Sequence, residues 1–246
     1  MTASSPRHTL RKLSFLISLF SSLVATCLSL TACDMMEGLY DDTNDGTDTT
    51  TVAAYIQTSP DKSQYYINAT SYTQWVYINL HTDPITITTS NISLDDFVET
   101  GAPAEWDYAH HRYDAKTNGA TVWMTPYTSI ADLEAAGLPA DANWVADTQS
   151  QECIAVDMSH MITDSYLVYA PGYKNEEMSR WVNVDITYMP PTYTLHNNVM
   201  LLHLADGTYA AVQLENFMST DRYQVKGWMT VNYKYPVFLG AGARGY

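Results

Sequence analysis

Past residue 52 the chain alternates apolar and polar side chains in short runs rather than at helical spacing. Residues 53–57, 65–69, 74–80 and 85–89 are rich in Tyr, Ile, Val and Thr, with breaks at Ser59-Pro60 and Asp83-Pro84. Such runs predict strands. Within 74–80 the period of two puts Trp75, Tyr77 and Asn79 on one face and Val76, Ile78 and Leu80 on the other. One face predicts core, the other an aromatic surface against a neighbouring layer. Residues 199–204 and 208–214 flank Ala205-Asp206-Gly207, a hairpin by its turn chemistry, and 228–235 supply a last strand. Helical signals are confined to 94–100 after a Ser93 cap and to 129–136 stopped by Gly137. The pattern predicts an all-β domain of antiparallel packed sheets with one or two short helices.

One stretch departs from simple alternation. Residues 105–119 mix Trp106, Tyr108 and Tyr113 with Asp107, His110, His111, Arg112 and Asp114, and end in the turn pair Asn118-Gly119. It reads as a central strand whose charges need partners, because an unpaired buried charge is costly. The run Trp106-Asp107, His111-Arg112-Tyr113-Asp114, Asn118-Gly119 resembles the signature of the HmuY-type haem-binding lipoproteins of Bacteroides-like bacteria. Residues 72–80 and 191–237 resemble the early Trp-containing strand and the C-terminal hairpins of that family, in the same order.

The N-terminus sets the compartment. Arg7, Arg11 and Lys12 precede an apolar run over 13–30 that ends in Leu30-Thr31-Ala32-Cys33. A basic region, an apolar core and a small-residue cut before Cys predict a lipoprotein signal over 1–32, with lipidation at Cys33. Residues 33–51 form an acidic tether holding Asp34, Glu37, Asp41, Asp42, Asp45 and Asp48 and no Lys or Arg, and 52–246 the folded domain. Asp41, Thr43, Asp45 and Gly46 imitate the start of a calcium loop, but Val52 stands where a bidentate acid is required.

Charge narrows the partners. Removing the signal leaves 9 of the 12 basic residues against all 27 acidic ones, a net charge of −18. That surface repels nucleic acid and anionic lipid, so the membrane is reached through the acyl anchor alone. Of three cysteines, Cys27 is in the signal and Cys33 at its cut, so Cys153 has no partner for an internal disulfide.

Enzyme motifs are missing in the useful sense. Gly240, Gly242 and Gly245 match a dinucleotide fingerprint with no helix to follow, and no nucleophile elbow, zinc-protease helix or phosphate loop is present. Asp107, His111 and Asp114 imitate an acid–base group but read as a structural network. The reading is therefore non-enzymatic.

Methionine carries the remaining chemistry. Met158-Ser159-His160-Met161 gathers soft and imidazole donors in one segment, and Tyr188-Met189-Pro190-Pro191 presents a thioether on a proline-stiffened loop. The resemblance implies haem clamped between two loops by paired His or paired Met. Ile186 occupies the place of the second His ligand, which leaves Met189 on that side and Met158 or Met161 opposite, with His160 as an outsider. Tyr188, with Tyr166, Tyr169, Tyr173 and Tyr193, is a candidate either to line the porphyrin faces or to serve as an ordinary β aromatic, and Lys174 or Arg180 is a candidate to pair a propionate. The resemblance further implies capture of haem from host haem proteins and delivery to a TonB-dependent outer-membrane receptor, from a lipid-anchored position on the outer membrane or cell surface. The alternative is a surface lipoprotein that binds glycan or a protein partner through exposed aromatics, without haem.

Overall fold

The computed structural model describes residues 57–58, 63–161, 163–164, 166–185, 187 and 191–240. The signal, the tether and Cys33 lie outside them, as do residues 53–56 of the first expected strand. The described strands are β1 (Gln57–Thr58), β2 (Gln64–Asn68), β3 (Val76–Asn79), β4 (Thr86–Thr89), β5 (Asn91–Ile92), β6 (Glu99–Thr100), β7 (Tyr108–His111), β8 (Asp114–Thr117), β9 (Thr121–Met124), β10 (Val145–Ala146), β11 (Thr148–Asp157), β12 (Val168–Lys174), β13 (Val182–Asp185), β14 (Thr192–Leu195), β15 (Met200–His203), β16 (Tyr209–Met218) and β17 (Lys226–Lys234). Two short helices join them, α1 (Ile130–Ala136) and α2 (Glu176–Ser179). The fold is all-β.

A seven-stranded antiparallel sheet runs β1-β2-β17-β16-β15-β9-β10 and a four-stranded one β4-β3-β7-β8. They meet on their inner faces. The shared core takes Val76, Ile78 and Leu80 from one sheet and Tyr65, Ile67, Val122, Met200, Leu202, Val212, Met229 and Val231 from the other. The outer face of the large sheet, with Trp123, Leu201 and Ala211, is covered by Leu133 of α1 and by Val237 and Leu239. The outer face of the small sheet, with Trp75, Tyr77 and Ala109, is covered by Cys153, Ile154, Val156 and Ala170 of the β11–β12 ribbon. The two faces of β3 thus divide as its period of two predicts.

Helix α1 forms because Ser129 caps it, its side chain accepting from the Asp132 N–H, and it ends at Gly137, whose φ of +76° admits the turn. The helix expected at 94–100 is instead the tight loop between β5 and β6. The Phe97 N–H donates to the Ser93 carbonyl at 2.9 Å, the Ser93 N–H donates to Val98 at 3.0 Å, and Phe97 has φ +57°, which closes the segment on itself.

The central stretch also differs from its expected form. Residues 105–119 are not one strand but a hairpin, β7 and β8 pairing His111 with Asp114 across a two-residue turn at Arg112-Tyr113. Arg112 has φ +51°, which is rare outside Gly. Its guanidinium donates to the Thr70 carbonyl at 2.7 Å and lies 4.2 Å over the Tyr72 ring, and these contacts hold the turn where side-chain type alone disfavours it. The charged residues do find partners, each a different one. Asp107 accepts from the Leu80 N–H at 2.6 Å and from His81, Asp114 faces Lys174 at 3.5 Å, and the His111 Nε2–H donates to the Tyr72 carbonyl at 2.7 Å.

Candidate functional site

Two hairpins, β11–β12 and β13–β14, flank α2 in the chain, and the segment joining them is the first thing the sequence supplies. Asn175, with Glu176 and Glu177 behind it, is an N-cap followed by acids in the first turn, which favours a helix there. Its side chain accepts from the Met178 N–H at 2.9 Å and donates to Val145 and Asp147 at 3.0 Å each, and its backbone N–H donates to Ala115 at 2.7 Å. Every polar atom of this fully buried side chain is used. It fixes the point where β12 hands the chain to α2 and then to β13.

Trp181 begins the second hairpin. It is buried, donates its indole N–H to the Tyr113 carbonyl at 2.9 Å and stacks on His110 at 4.7 Å. The Tyr113 ring packs on the main core, 6.4 Å from the Phe217 ring. Burial pushes its hydroxyl up to about 12, with Asp114, Tyr193 of β14 and Tyr169 of β12 all close enough to add to the shift. Tyr193 in turn stacks on Phe217 at 5.7 Å. Both hairpins are therefore rooted on one post made of Tyr113, Asn175 and Trp181.

The tip of the first hairpin, residues 158–167, holds Met158, His160 and Met161 together. The Met161 N–H donates to the Met158 carbonyl at 3.0 Å and the Asp164 N–H to the His160 carbonyl at 2.9 Å, two successive turns that leave both thioethers half-buried. The His160 ring stacks on Tyr166 at 4.8 Å, and its Nδ1 lies 3.2 Å from the Asp164 carboxylate. A carboxylate on Nδ1 fixes the tautomer that leaves Nε2 as a lone-pair donor, the arrangement common behind metal-bound imidazoles. The same contact draws the Asp164 carboxyl below its ordinary range, helped by Thr163.

The second hairpin pairs Val182 with Leu195 and Asp185 with Thr192. Tyr188 and Met189 lie outside the described residues. Met178, the remaining methionine of this region besides these, is core. Lys174 is occupied by Asp114 and Glu176, and Arg180 by Glu177 at 3.0 Å, so both cations expected to meet a propionate already have carboxylate partners. No cluster of three or more His, Cys, Asp or Glu forms a metal site among the described residues.

What sequence reasoning missed are the residues that meet where the two hairpins join. Asn175 was detectable from its cap pattern. Tyr113 and Trp181 were not, because their roles depend on elements far away in sequence.

Comparison with known proteins places this architecture. A family model described as HmuY protein matches residues 71–233. Among solved structures, a candidate HmuY-like haem-binding protein from Bacteroides vulgatus is 42% identical, covers 75% of this chain and 98% of its own, and superposes with a TM-score of 0.64. A candidate lipoprotein from Bacteroides fragilis is 40% identical over 77% of this chain and 98% of its own, with a TM-score of 0.65. The apo HmuY analogue of Tannerella forsythia, 21% identical over 74% of this chain and 97% of its own, shares the fold at a TM-score of 0.54. Comparison with curated proteins gave no significant match. The chain belongs to the HmuY family.

Proposed function

We propose that the chain is a lipid-anchored haem-binding protein that grips the iron between two hairpin tips, Met189 on one and Met158 or Met161 on the other. Support comes from membership of a family with a 42%-identical solved member described as HmuY-like and haem-binding. The observation that carries the site is the common post. The 158–167 tip holds Met158, His160 and Met161 within successive turns, and the hairpin bearing 186–191 is rooted on the same Tyr113 and Asn175. Two loops based at one point can close on a flat ligand from opposite sides.

Thioether sulfur is a soft donor that favours ferrous iron relative to imidazole. His160, its Nδ1 held by Asp164, stands beside the pair, and Tyr166 and Tyr169 offer exposed rings for the macrocycle, with Tyr188 from the other loop. With a processed charge of −18 the protein does not draw an anionic porphyrin by its overall field, so affinity rests on apolar burial, stacking and coordination. Ligands that exchange one at a time suit uptake from host haem proteins and delivery to a TonB-dependent outer-membrane receptor, with Cys33 as the anchor.

Haem titration of the whole chain, in ferric and in dithionite-reduced form, tests the reading. A sharpened Soret band, stronger on reduction, is expected, and Met189→Ala should weaken the reduced spectrum at least tenfold in affinity. A silent titration in both oxidation states refutes it. The exposed Tyr166, Tyr169 and Tyr173 along the first hairpin favour one other reading, a glycan or protein platform. Glycan binding together with a silent haem titration would select that one.

A further inference from the structure

Four lysines fall among the described residues, and three of them are held by carboxylates. Lys116 donates to Glu99 at 2.8 Å, Lys174 lies 3.5 Å from Asp114 and 3.4 Å from Glu176, and Lys234 donates to Glu134 at 2.7 Å. Lys226 is different. It opens β17, is half-buried, and its ammonium stands 5.2 Å over the centre of the Tyr193 ring, with no carboxylate against it among the described residues. The arginines are engaged elsewhere: Arg112 on Thr70 and Tyr72, Arg180 on Glu177, and exposed Arg222 on the ring of its neighbour Tyr223.

The position of Tyr193 gives this ammonium its meaning. Strands β13 and β14 pair Tyr193 with Val184 and Thr192 with Asp185, so Tyr193 is one residue from the end of the paired part of the second hairpin. Met189 precedes Thr192 by three residues, and a chain of that length spans no more than about 11 Å. Burial and then Asp114 raise the Tyr113 hydroxyl, and Tyr193 and Tyr169 of the first hairpin both lie near enough to add to that shift. Lys226 therefore stands on a ring that shares a neighbour, Tyr113, with the other hairpin.

An ammonium has three N–H donors. At Lys226 none of them meets an oxygen of the described residues, and Tyr193 offers only its π face. A carboxylate brought by a ligand would gain a charge-assisted hydrogen bond to a cation already held in place. On a surface of net charge −18, such a cation is a local exception to a field that repels anions. We infer that Lys226 binds one propionate of haem, the part that residue type alone gives to Lys174 or Arg180. This inference rests on the haem-binding reading above.

The test compares haem with its dimethyl ester, in which both carboxylates are capped, each titrated in reduced form into the full chain. In Lys226→Gln the ratio of haem to ester affinity should fall about fivefold or more, through weaker haem binding with ester binding unmoved. Arg180→Gln and Lys234→Gln remove the same charge elsewhere and should leave the ratio within about twofold of its original value. An unchanged ratio in Lys226→Gln, an equal loss for both ligands, or the same fall in Arg180→Gln would overturn the inference and leave haem binding standing. An unsubstituted chain silent toward haem and ester alike would instead refute the haem-binding reading, and the inference with it.

Discussion

His110 and His111 show how far single residues depart from their ordinary chemistry. Both are fully buried, and burial pulls their rings down from the usual 6.5 to about 3 and about 4. As pH falls from 6.5 toward 4, the unfolded chain takes up two protons that the folded one refuses, so stability falls with pH. Asp114 acts in the opposite sense, because burial raises it to about 6 and the folded carboxyl takes its proton first. Two protons outweigh one. His81 adds a smaller contribution: the Asp206 hydrogen bond, against a loss from burial and with Asp107 assisting, holds it above its ordinary value. That contribution is complete below about 6.5 and fades as pH rises through the raised value, and at 42% side-chain exposure it is worth no more than about 1 kcal/mol. The urea midpoint should therefore drop between pH 6.5 and 4.5. His110→Gln should flatten the slope, and a midpoint that climbs on acidification would contradict the assignment.

At the scale of elements, two close contacts decide where strands and hairpins point. Gly227 in β17 has φ +99°, and a Cβ there would lie 2.9 Å from the Thr70 Cα and 3.1 Å from the Ala69 carbonyl. Backbone cannot yield as a side-chain end can, so Gly227→Ala should cost about 2–4 kcal/mol in urea unfolding. Asn175 ties the start of α2 to β10, Asp147 and β8 through four hydrogen bonds that involve its buried side chain or its backbone N–H. Asn175→Ala leaves the Met178 N–H without its cap and the Asp147 carboxylate short of a donor, a loss of about 2–3 kcal/mol. If the post aims the tips, haem affinity should fall in the same variant at temperatures where it stays folded. Elements with local signals were readable in sequence, such as the Ser129 cap of α1 and the Asp206-Gly207 turn between β15 and β16. The break at Arg112-Tyr113 was not, since the turn is held by Thr70 and Tyr72, some forty residues earlier in the chain. Nor was the 94–100 loop, where Ser93 serves a turn through its carbonyl rather than a helix through its hydroxyl alone.

For the whole molecule, three apolar layers form around two sheets with no disulfide among the described residues, where Cys153 is free and buried. No described helix is long and apolar enough to cross a membrane. Under the proposed reading attachment depends on Cys33, so Cys33→Ser should move the protein from the membrane to the soluble fraction while its haem spectrum is unchanged. Persistence in washed membranes would refute the anchor. The sequence by itself determined the class of fold, the division of β3 into a core face and an aromatic face, and where the methionines fall along the chain, because period, turn chemistry and residue type are local properties. Only tertiary structure decided that Tyr113, Asn175 and Trp181 form one post, that Lys174 and Arg180 are already paired, and that Lys226 stands over the Tyr193 ring. Those facts arise where strands distant in the chain are brought together, and no single stretch carries the energies of such meetings.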